Sequence, residues 1–599
     1  MNSMDNISIA RLLDETASLL EIDAADPFRV RSYRRAAEAV EQQTTQLSTL
    51  VAPDVDSKAL LEIPGIGKAM AASIRDLVHT GSMPLRDELL LKYRSTMLEL
   101  LRLPGMGPKT VALVWSALQV ENIDQLEAAA KAGRLSKLPR MGDKFTQKLL
   151  KGIEDHRRNS SRFRIDQARN QAERIAALIL AFPGIESVTP AGSLRRGRET
   201  VGDLDLLATG PATEPDVVAA AVEHVATLPL IDKLMARGAN KVTFTLRNNL
   251  QVDVRLLPRT SYGAAMQYFT GSKHHNVALR QRAIKRGLTL SEYALLRLED
   301  NVIVASETEE EIYNALDLAW IPPELRENCG ELEAAANSFA LAHGLEAPGP
   351  GLPELVTLAD LHGDVHMHTF ESDGTCSIRE MAEAALARGR RYIAITDHSK
   401  NLAMTNGMDD GRALAHAERV RAVNDEMQGR INILSGIECD ILADGQMDLA
   451  DETLARLDIV IASVHTKFDL PEADQTARVL RALANPYVRI LAHPTGRKLL
   501  RREPYKIDLD QVFRAAAQHG VAVEHNAAPA RTDLSDQNMR HAKSLGCQIV
   551  VNTDAHATNE LDYMQDGLVQ LRRAWLTKAD IANTAGTAEA FLARLRPRP

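Results

Sequence analysis

Seven short apolar stretches in the C-terminal half, each running into a histidine or a carboxylate, constrain the fold of this 599-residue chain most tightly. They are DLHGDVHMH (360–368), RYIAITDH (391–398), INILSGIE (431–438), LDIVIASVH (457–465), VRILAHP (488–494), GVAVEHNA (520–527) and QIVVNTDAH (548–556), with helical segments between most of them. Strands alternating with helices build a parallel sheet or a (βα) barrel, in which the C-terminal strand ends converge on one face. His366, His368, Asp373, His398, Glu438, His465, His493, Asp554 and His556 all fall at or just after those ends. One such histidine would more often be a hydrogen-bonded core residue. Nine potential ligands at successive strand ends read as a metal cluster, and imidazole with carboxylate suits Mn²⁺, Zn²⁺ or Fe²⁺. His525 and Asn526 end another strand and are candidate substrate or supporting residues; Arg497 and Lys498 are either a phosphate contact or an exposed basic turn.

The N-terminal half has a different chemistry. Residues 1–300 hold 41 Lys and Arg against 35 Asp and Glu, whereas residues 301–599 hold 30 against 45. The basic excess concentrates between 101 and 200, which suits a polyanion contact or, equally, an ordinary solvated face. Three related turns recur there: Ile63-Pro-Gly65-Ile-Gly67-Lys68, Leu103-Pro-Gly105-Met-Gly107-Pro-Lys109 and Leu138-Pro-Arg140-Met-Gly-Asp-Lys144, each leading into a helix. A Gly-x-Gly turn at a helix N-terminus presents backbone N–H groups that can hold a phosphate without reading a base. One such turn could be purely structural; three with nearby lysines point to the DNA backbone. The third has Arg140 in place of the first glycine, so its role can be structural alone.

Between 188 and 256 the pattern changes to short strands, among them DLDLLA (203–208), KVTFTL (241–246) and LQVDVRLL (250–257). Alternation puts Asp203 and Asp205 on one face of a strand, and Asp253 interrupts a second apolar strand, where a buried carboxylate is costly unless paired or bound to metal. With the turn Gly192-Ser193-Leu-Arg-Arg196, these acids make a two-metal phosphoryl-transfer site plausible. The competing reading has Asp203 and Asp205 solvated at a strand end and Asp253 paired with Arg255.

These motifs resemble the nucleotidyltransferase core, and Tyr268-Phe269-Thr-Gly271-Ser272, fifteen residues after Asp253, narrows the resemblance to family X DNA polymerases over roughly residues 5–325. The spelling DVHMHTFESDG, AITDHS, GIECDI, ASVHTKF, LAHPTGR and VNTDAH resembles the PHP phosphoesterase domain over 359–599. The resemblance implies a helical lyase-like domain (1–80) and fingers (81–160) with helix-hairpin-helix motifs, a palm (161–262), a thumb (263–325), a helix and linker (326–358), and a (βα) barrel-like PHP domain (359–599). It implies that Asp203, Asp205 and Asp253 hold Mg²⁺ or Mn²⁺, and that Ser193 and Arg196 hold triphosphate oxygens with Gly202 allowing close approach. Tyr268, Phe269 and Gly271 would line the sugar pocket, and Asn276 and Arg280 would contact the nascent pair and template. Gly65, Gly67, Lys68, Gly105, Gly107 and Lys109 would touch DNA. In the PHP domain it implies up to three ions and a 3′→5′ exonuclease, with possible abasic-site endonuclease activity. Lys273 stands where some members carry an acid. Ser73 stands where some carry the Schiff-base lysine, so little lyase activity is implied unless Lys68, on another helix face, replaces it.

The expected activity is gap filling in DNA repair, on gapped or nicked duplex with dNTPs. The alternatives are a PHP small-molecule phosphatase fused to a degenerate DNA-binding module, or a non-catalytic DNA-end-binding scaffold. No apolar run approaches the roughly 18 residues of a membrane span. The start MNSMDNISIA lacks a signal pattern, and Cys329, Cys376, Cys439 and Cys547 are too scattered for a disulfide framework, so a cytoplasmic protein without a membrane partner is expected.

Overall fold

The computed structural model describes residues 6–597 except 42–46, 48–57, 62, 64–65, 95, 102, 140, 161 and 403–404. It divides into two compact units, Met1–Ser160 and Ser161–Pro599.

The first unit is helical. In Asn6–Ile22 the residues Ile9, Leu13, Ala17 and Leu20 recur at helical spacing and are buried, which fixes the face that packs inward. They share one core with Ala36, Ile74, Leu100, Val114, Leu126 and Ile153. The segments expected as separate lyase-like and fingers domains therefore form a single compact unit. Their helices share that core.

After the helix Ile165–Leu180, the second unit builds a five-stranded sheet: β1 (Ser187–Pro190), β2 (Asp203–Thr209), β3 (Ile231–Arg237), β4 (Lys241–Leu246) and β5 (Gln251–Leu256), in the spatial order β1-β2-β5-β4-β3. Strands β2 and β5 are parallel and in register, with Asp205 opposite Asp253. The helices Tyr262–Thr270 and Lys273–Lys285 follow, then a small antiparallel sheet. The acidic stretch 307–345 is two helices, Glu309–Ala315 and Glu331–Ala342. Leu332 and Ala335 of the second join Leu279, Leu295 and Ile312 in one core. The helix expected to precede the linker thus packs on the thumb core.

A seven-stranded parallel sheet makes up the rest: β6 (Gly363–Asp364), β7 (Tyr392–Ile395), β8 (Asn432–Asp440), β9 (Ile459–Ser463), β10 (Ile490–Leu491), β11 (Ala522–Asn526) and β12 (Ile549–Asn552), paired in chain order. Just past the first and last strands, Asp554 N–H donates to the His366 carbonyl (3.0 Å) and His368 N–H to the Ala555 carbonyl (2.8 Å), which closes the ring. Closure brings seven strand ends to one mouth.

One buried ion network joins the palm turn to the thumb. Arg195 makes a two-pronged contact with Glu309 (2.9 and 2.7 Å), and the fully buried Arg326 donates to the same carboxylate (2.6 Å). Burial alone would raise the Glu309 carboxyl; Arg326 and Arg195 outweigh it and hold it at about 2. A carboxyl depressed in the folded state stabilises above its unfolded value of 4.5, and the contribution is lost as pH falls toward 2. Glu309→Gln should cost on the order of 3 kcal/mol at pH 7. In denaturant titrations the gap to wild type should narrow below about pH 4.5; a gap independent of pH would contradict the ion network.

Candidate functional site

Two constellations of acids lie in the second unit. In the palm, Asp203 opens β2 exposed, Asp205 follows half-buried, and Asp253 is buried on β5 beside it. Asp253 accepts from Thr243 Oγ1 (2.5 Å), Gln251 Nε2 (3.0 Å) and Lys241 Nζ (2.6 Å). The partner is therefore Lys241 across the sheet, whereas Arg255 stacks over the Phe269 ring at 4.1 Å. Burial raises the Asp253 carboxyl, and these donors more than reverse it, leaving it lowered. Asp205 has no such donors: burial first, then repulsion from Asp203 and Asp253, pushes it up to about 7. Two neighbouring carboxylates on adjacent strands with one left unneutralised form an oxygen donor set that fits a divalent cation.

The turn before β2 is built against that set. Gly192 has φ +60, and a Cβ there would overlap Asp205 Oδ2, so residue and conformation both demand glycine. Ser193 follows in the short helical turn Gly192–Arg195. Arg196 donates to Glu327 Oε1 (3.1 Å) and to the Thr270 carbonyl. Gly202 immediately precedes β2, and a Cβ there would meet Arg162 Nη1 at 3.7 Å, an ordinary contact distance.

Across from this turn, Tyr268 and Phe269 stack edge to face with centroids 5.0 Å apart, and Arg280 lies over Tyr268 at 4.9 Å. Gly271 has φ +71. Asn276 spends both ends of its amide inside the protein: Nδ2 donates to the Tyr268 carbonyl (2.7 Å) and Oδ1 accepts from Gln267 Nε2 (2.8 Å). It braces the tyrosine. Sequence reasoning missed Lys241 and Glu327, whose partners lie on other elements.

The PHP mouth holds all nine expected residues, and it contains every group of three or more ligand atoms within 4.8 Å among the described residues. These are His368, Asp373, His398 and His556; His366, His368, Glu438 and Asp554; and His398, Glu438 and His465. His493 Nε2 lies 2.9 Å from Glu438 Oε1. Buried His493 Nδ1 has no hydrogen-bond partner, and buried His366 Nε2, His368 Nδ1 and His398 Nδ1 face only carboxylates of the same cluster, an arrangement that suits a shared cation. Burial lowers the basicity of His398, but Glu438 and Asp373 reverse this and raise it well above the ordinary histidine value. Metal would take over that compensation.

A supporting ring that the sequence reading did not pick out orients these groups. Glu524 accepts from His366 Nδ1 (2.7 Å) and Asp440 from His465 Nδ1 (2.5 Å). Such carboxylates fix imidazole tautomer and angle. Asn526 Nδ2 donates to Asp554 Oδ2 (2.8 Å). His525 instead turns to the Leu534 carbonyl, and burial lowers it to about 4; it is a core residue. Lys498, Arg501, Arg502 and Arg531 line a cleft of about 460 Å³ over the cluster. Arg497 is not among them, because Glu199 and the Thr532 carbonyl take its guanidinium.

In the helical unit, Gly67 and Gly107 cap Lys68–Thr80 and Pro108–Leu118 without any side-chain cap, and Lys68 and Lys109 are exposed beside them. Gly105 has φ +82, and a Cβ would come 2.6 Å from Phe145. Gly65 and Arg140 lie outside the described residues. Ser73 donates to the Ala69 carbonyl one turn back.

The comparisons with known proteins match this layout. A DNA polymerase beta thumb family matches residues 265–327, a helix-hairpin-helix domain 4–83, a SAM-like helix-hairpin-helix tandem 97–155, and a PHP domain 364–528. The DNA polymerase/3′-5′ exonuclease PolX of Bacillus subtilis (strain 168) is 37% identical over 596 residues, which is 99% of this chain and 100% of that protein. The chain belongs to the family X DNA polymerases with a C-terminal PHP domain. A probable phosphatase of Thermoanaerobacter sp. (strain X514) is 31% identical over 37% of this chain and 89% of its own. A solved chain of Leishmania infantum polymerase beta is 22% identical, covering 39% of this chain and 98% of its own, with a TM-score of 0.26. No helix of the described residues is long and apolar enough to cross a membrane.

Glu438, 1% exposed, belongs to two of the three PHP donor groups and touches a histidine of each. Glu438→Gln should therefore lower bound metal per chain at least severalfold. Elemental analysis of dialysed protein checks this, and unchanged metal content would contradict the donor assignment.

Proposed function

We propose that the chain fills short gaps in DNA from its palm and removes nucleotides from DNA 3′ ends at its PHP mouth, acting in cytoplasmic DNA repair. The observation that carries the reading is the coexistence, in one chain, of two intact and separately supported donor sets. At the palm, the primer 3′-hydroxyl oxygen bonds to the α-phosphorus of a dNTP as the bond to pyrophosphate breaks. Asp203, Asp205 and Asp253 would hold Mg²⁺ or Mn²⁺, in keeping with all-oxygen donors. Divalent ions there supply positive charge to the reacting phosphoryl group. The chain's own residues set the geometry: Lys241, Thr243 and Gln251 fix Asp253, Gly192 lets the phosphate-binding turn meet Asp205, and Arg196 with Ser193 receives triphosphate oxygens. Tyr268 and Phe269, pinned by Arg280, Asn276 and Arg255, form the sugar wall with Gly271.

At the PHP mouth, the imidazole-rich set suits Mn²⁺, Zn²⁺ or Fe²⁺, up to three ions. Lys498, Arg501, Arg502 and Arg531 would draw the phosphodiester into the cleft, and the same chemistry extends to cleavage beside an abasic site. The relatives named probable phosphatases match no more than 37% of this chain, and a small-molecule phosphatase reading leaves the palm carboxylates and the hairpins without use; a non-catalytic scaffold leaves both donor sets without use.

Two outcomes test this. Asp203→Ala with Asp205→Ala should reduce insertion into a gapped duplex by at least about a thousandfold while 3′ degradation persists, and His366→Ala with His368→Ala should do the reverse. Joint loss in correctly folded proteins would overturn the two-site reading. DNA affinity should also fall steeply and without sequence preference between about 50 and 200 mM salt, since amides at Gly67 and Gly107 and the side chains of Lys68 and Lys109 meet phosphates; a flat salt response in a binding titration would contradict the hairpin assignment.

A further inference from the structure

The loop from Arg196 to Glu199 joins the phosphate-binding turn to the strand that carries Asp203 and Asp205, and it is anchored to the C-terminal domain at both ends. Arg573, 1% exposed, closes the helix Tyr563–Arg573. Its guanidinium donates to the Arg196 carbonyl (2.6 Å), to Glu327 Oε1 (3.1 Å) and to Asp536 Oδ2 (2.8 Å). Glu327 Oε1 is also the acceptor for Arg196 Nε, so Arg573 holds Arg196 through both its main chain and its side chain. One turn earlier on the same helix, buried Gln570 donates from Nε2 to the Gly197 carbonyl (2.8 Å). Gly197 has φ +68, and a Cβ there would overlap Val569 Cγ1; the helix lies directly on the loop backbone. Two residues on, Glu199 accepts from Arg497 (2.6 Å), four residues past His493.

A triphosphate-binding loop that must be ordered on each encounter loses affinity to that ordering, whereas one already fixed does not. Resting on the reading of Arg196 as a triphosphate contact, we propose that the helix Tyr563–Arg573 is part of the polymerase nucleotide site, with Arg573 and Gln570 as positioning residues that hold the phosphate-binding loop ready for dNTP. The other end of this helix reaches the nuclease: Tyr563 and the preceding Glu560 line the cleft over the PHP cluster. Eleven residues of helix, about 16 Å, thus span from one site to the other.

The test uses the full chain with Gln570→Met and Arg573→Lys, which preserve bulk and charge respectively. Single-nucleotide insertion on a gapped duplex should show the KM for dNTP raised about tenfold with kcat changed less than about threefold. Inhibition by inorganic tripolyphosphate, which lacks base and sugar, should weaken by the same factor. The 3′ nuclease activity of each preparation should match wild type, which controls for folding. If Arg573→Lys does not fold, Gln570→Met alone decides. A folded variant with normal nuclease, unchanged dNTP KM and unchanged tripolyphosphate inhibition overturns the inference and leaves the polymerase reading intact; a wild-type chain that inserts no nucleotide overturns the polymerase reading itself.

Discussion

Glu438 sits 1% exposed at the centre of the PHP mouth, with nitrogens of His366, His368, His398, His465 and His493 between 2.9 and 3.5 Å from its oxygens. A carboxylate so deeply buried is sustained only by the positive charge around it. Those imidazoles come from four places around the ring of strands, His366 and His368 from one of them, and Glu524 and Asp440 stand behind His366 and His465 to hold their angles. Closing seven strands into a ring is what brings the donors together, and the electrostatics of the mouth in turn reward closure once cations are bound. Fold and site are therefore one problem in this half of the molecule. The palm solves a smaller version: three carboxylates on two parallel strands, one neutralised by Lys241 and one left at about 7.

Much of this is legible in the sequence because strand periodicity is local. The strand KVTFTL begins and ends where the alternation places it, LQVDVRLL loses only its terminal leucines, and the candidate PHP ligands lie at or after strand ends that the apolar runs mark. What escapes is information held in partners distant along the chain. Strand β3, IDKLMAR, carries little apolar signal because it is an exposed sheet edge. Local spacing offers Asp253 the nearby Arg255, two residues away on its own strand, but Lys241 reaches it from the neighbouring strand. His525 resembles the other strand-end histidines in sequence, yet its ring faces the Leu534 carbonyl. The carboxylates behind the ligands look no different from surface acids until the fold is known.

The boundaries show the same limit. Glycine and proline mark 346–355 as a linker, but nothing local says that the helix before it packs on the core of the preceding residues, or that the N-terminal helices share one core. The attachment of the palm loop to the C-terminal helix lies further still beyond local reading, since Arg573 and Arg196 are 377 residues apart.

The strands of the PHP ring are laid down in strict chain order, and the bonds that seal it join residues near 366 to residues near 555. During synthesis, the first histidines leave the ribosome long before Asp554 and His556, and until those arrive the mouth lacks members of two of its three donor groups. A chain ending between His398 and Asp554 carries the early donors but cannot assemble the full cluster. Assembly of the full donor set therefore waits for the last strand and the turn that follows it, through His556.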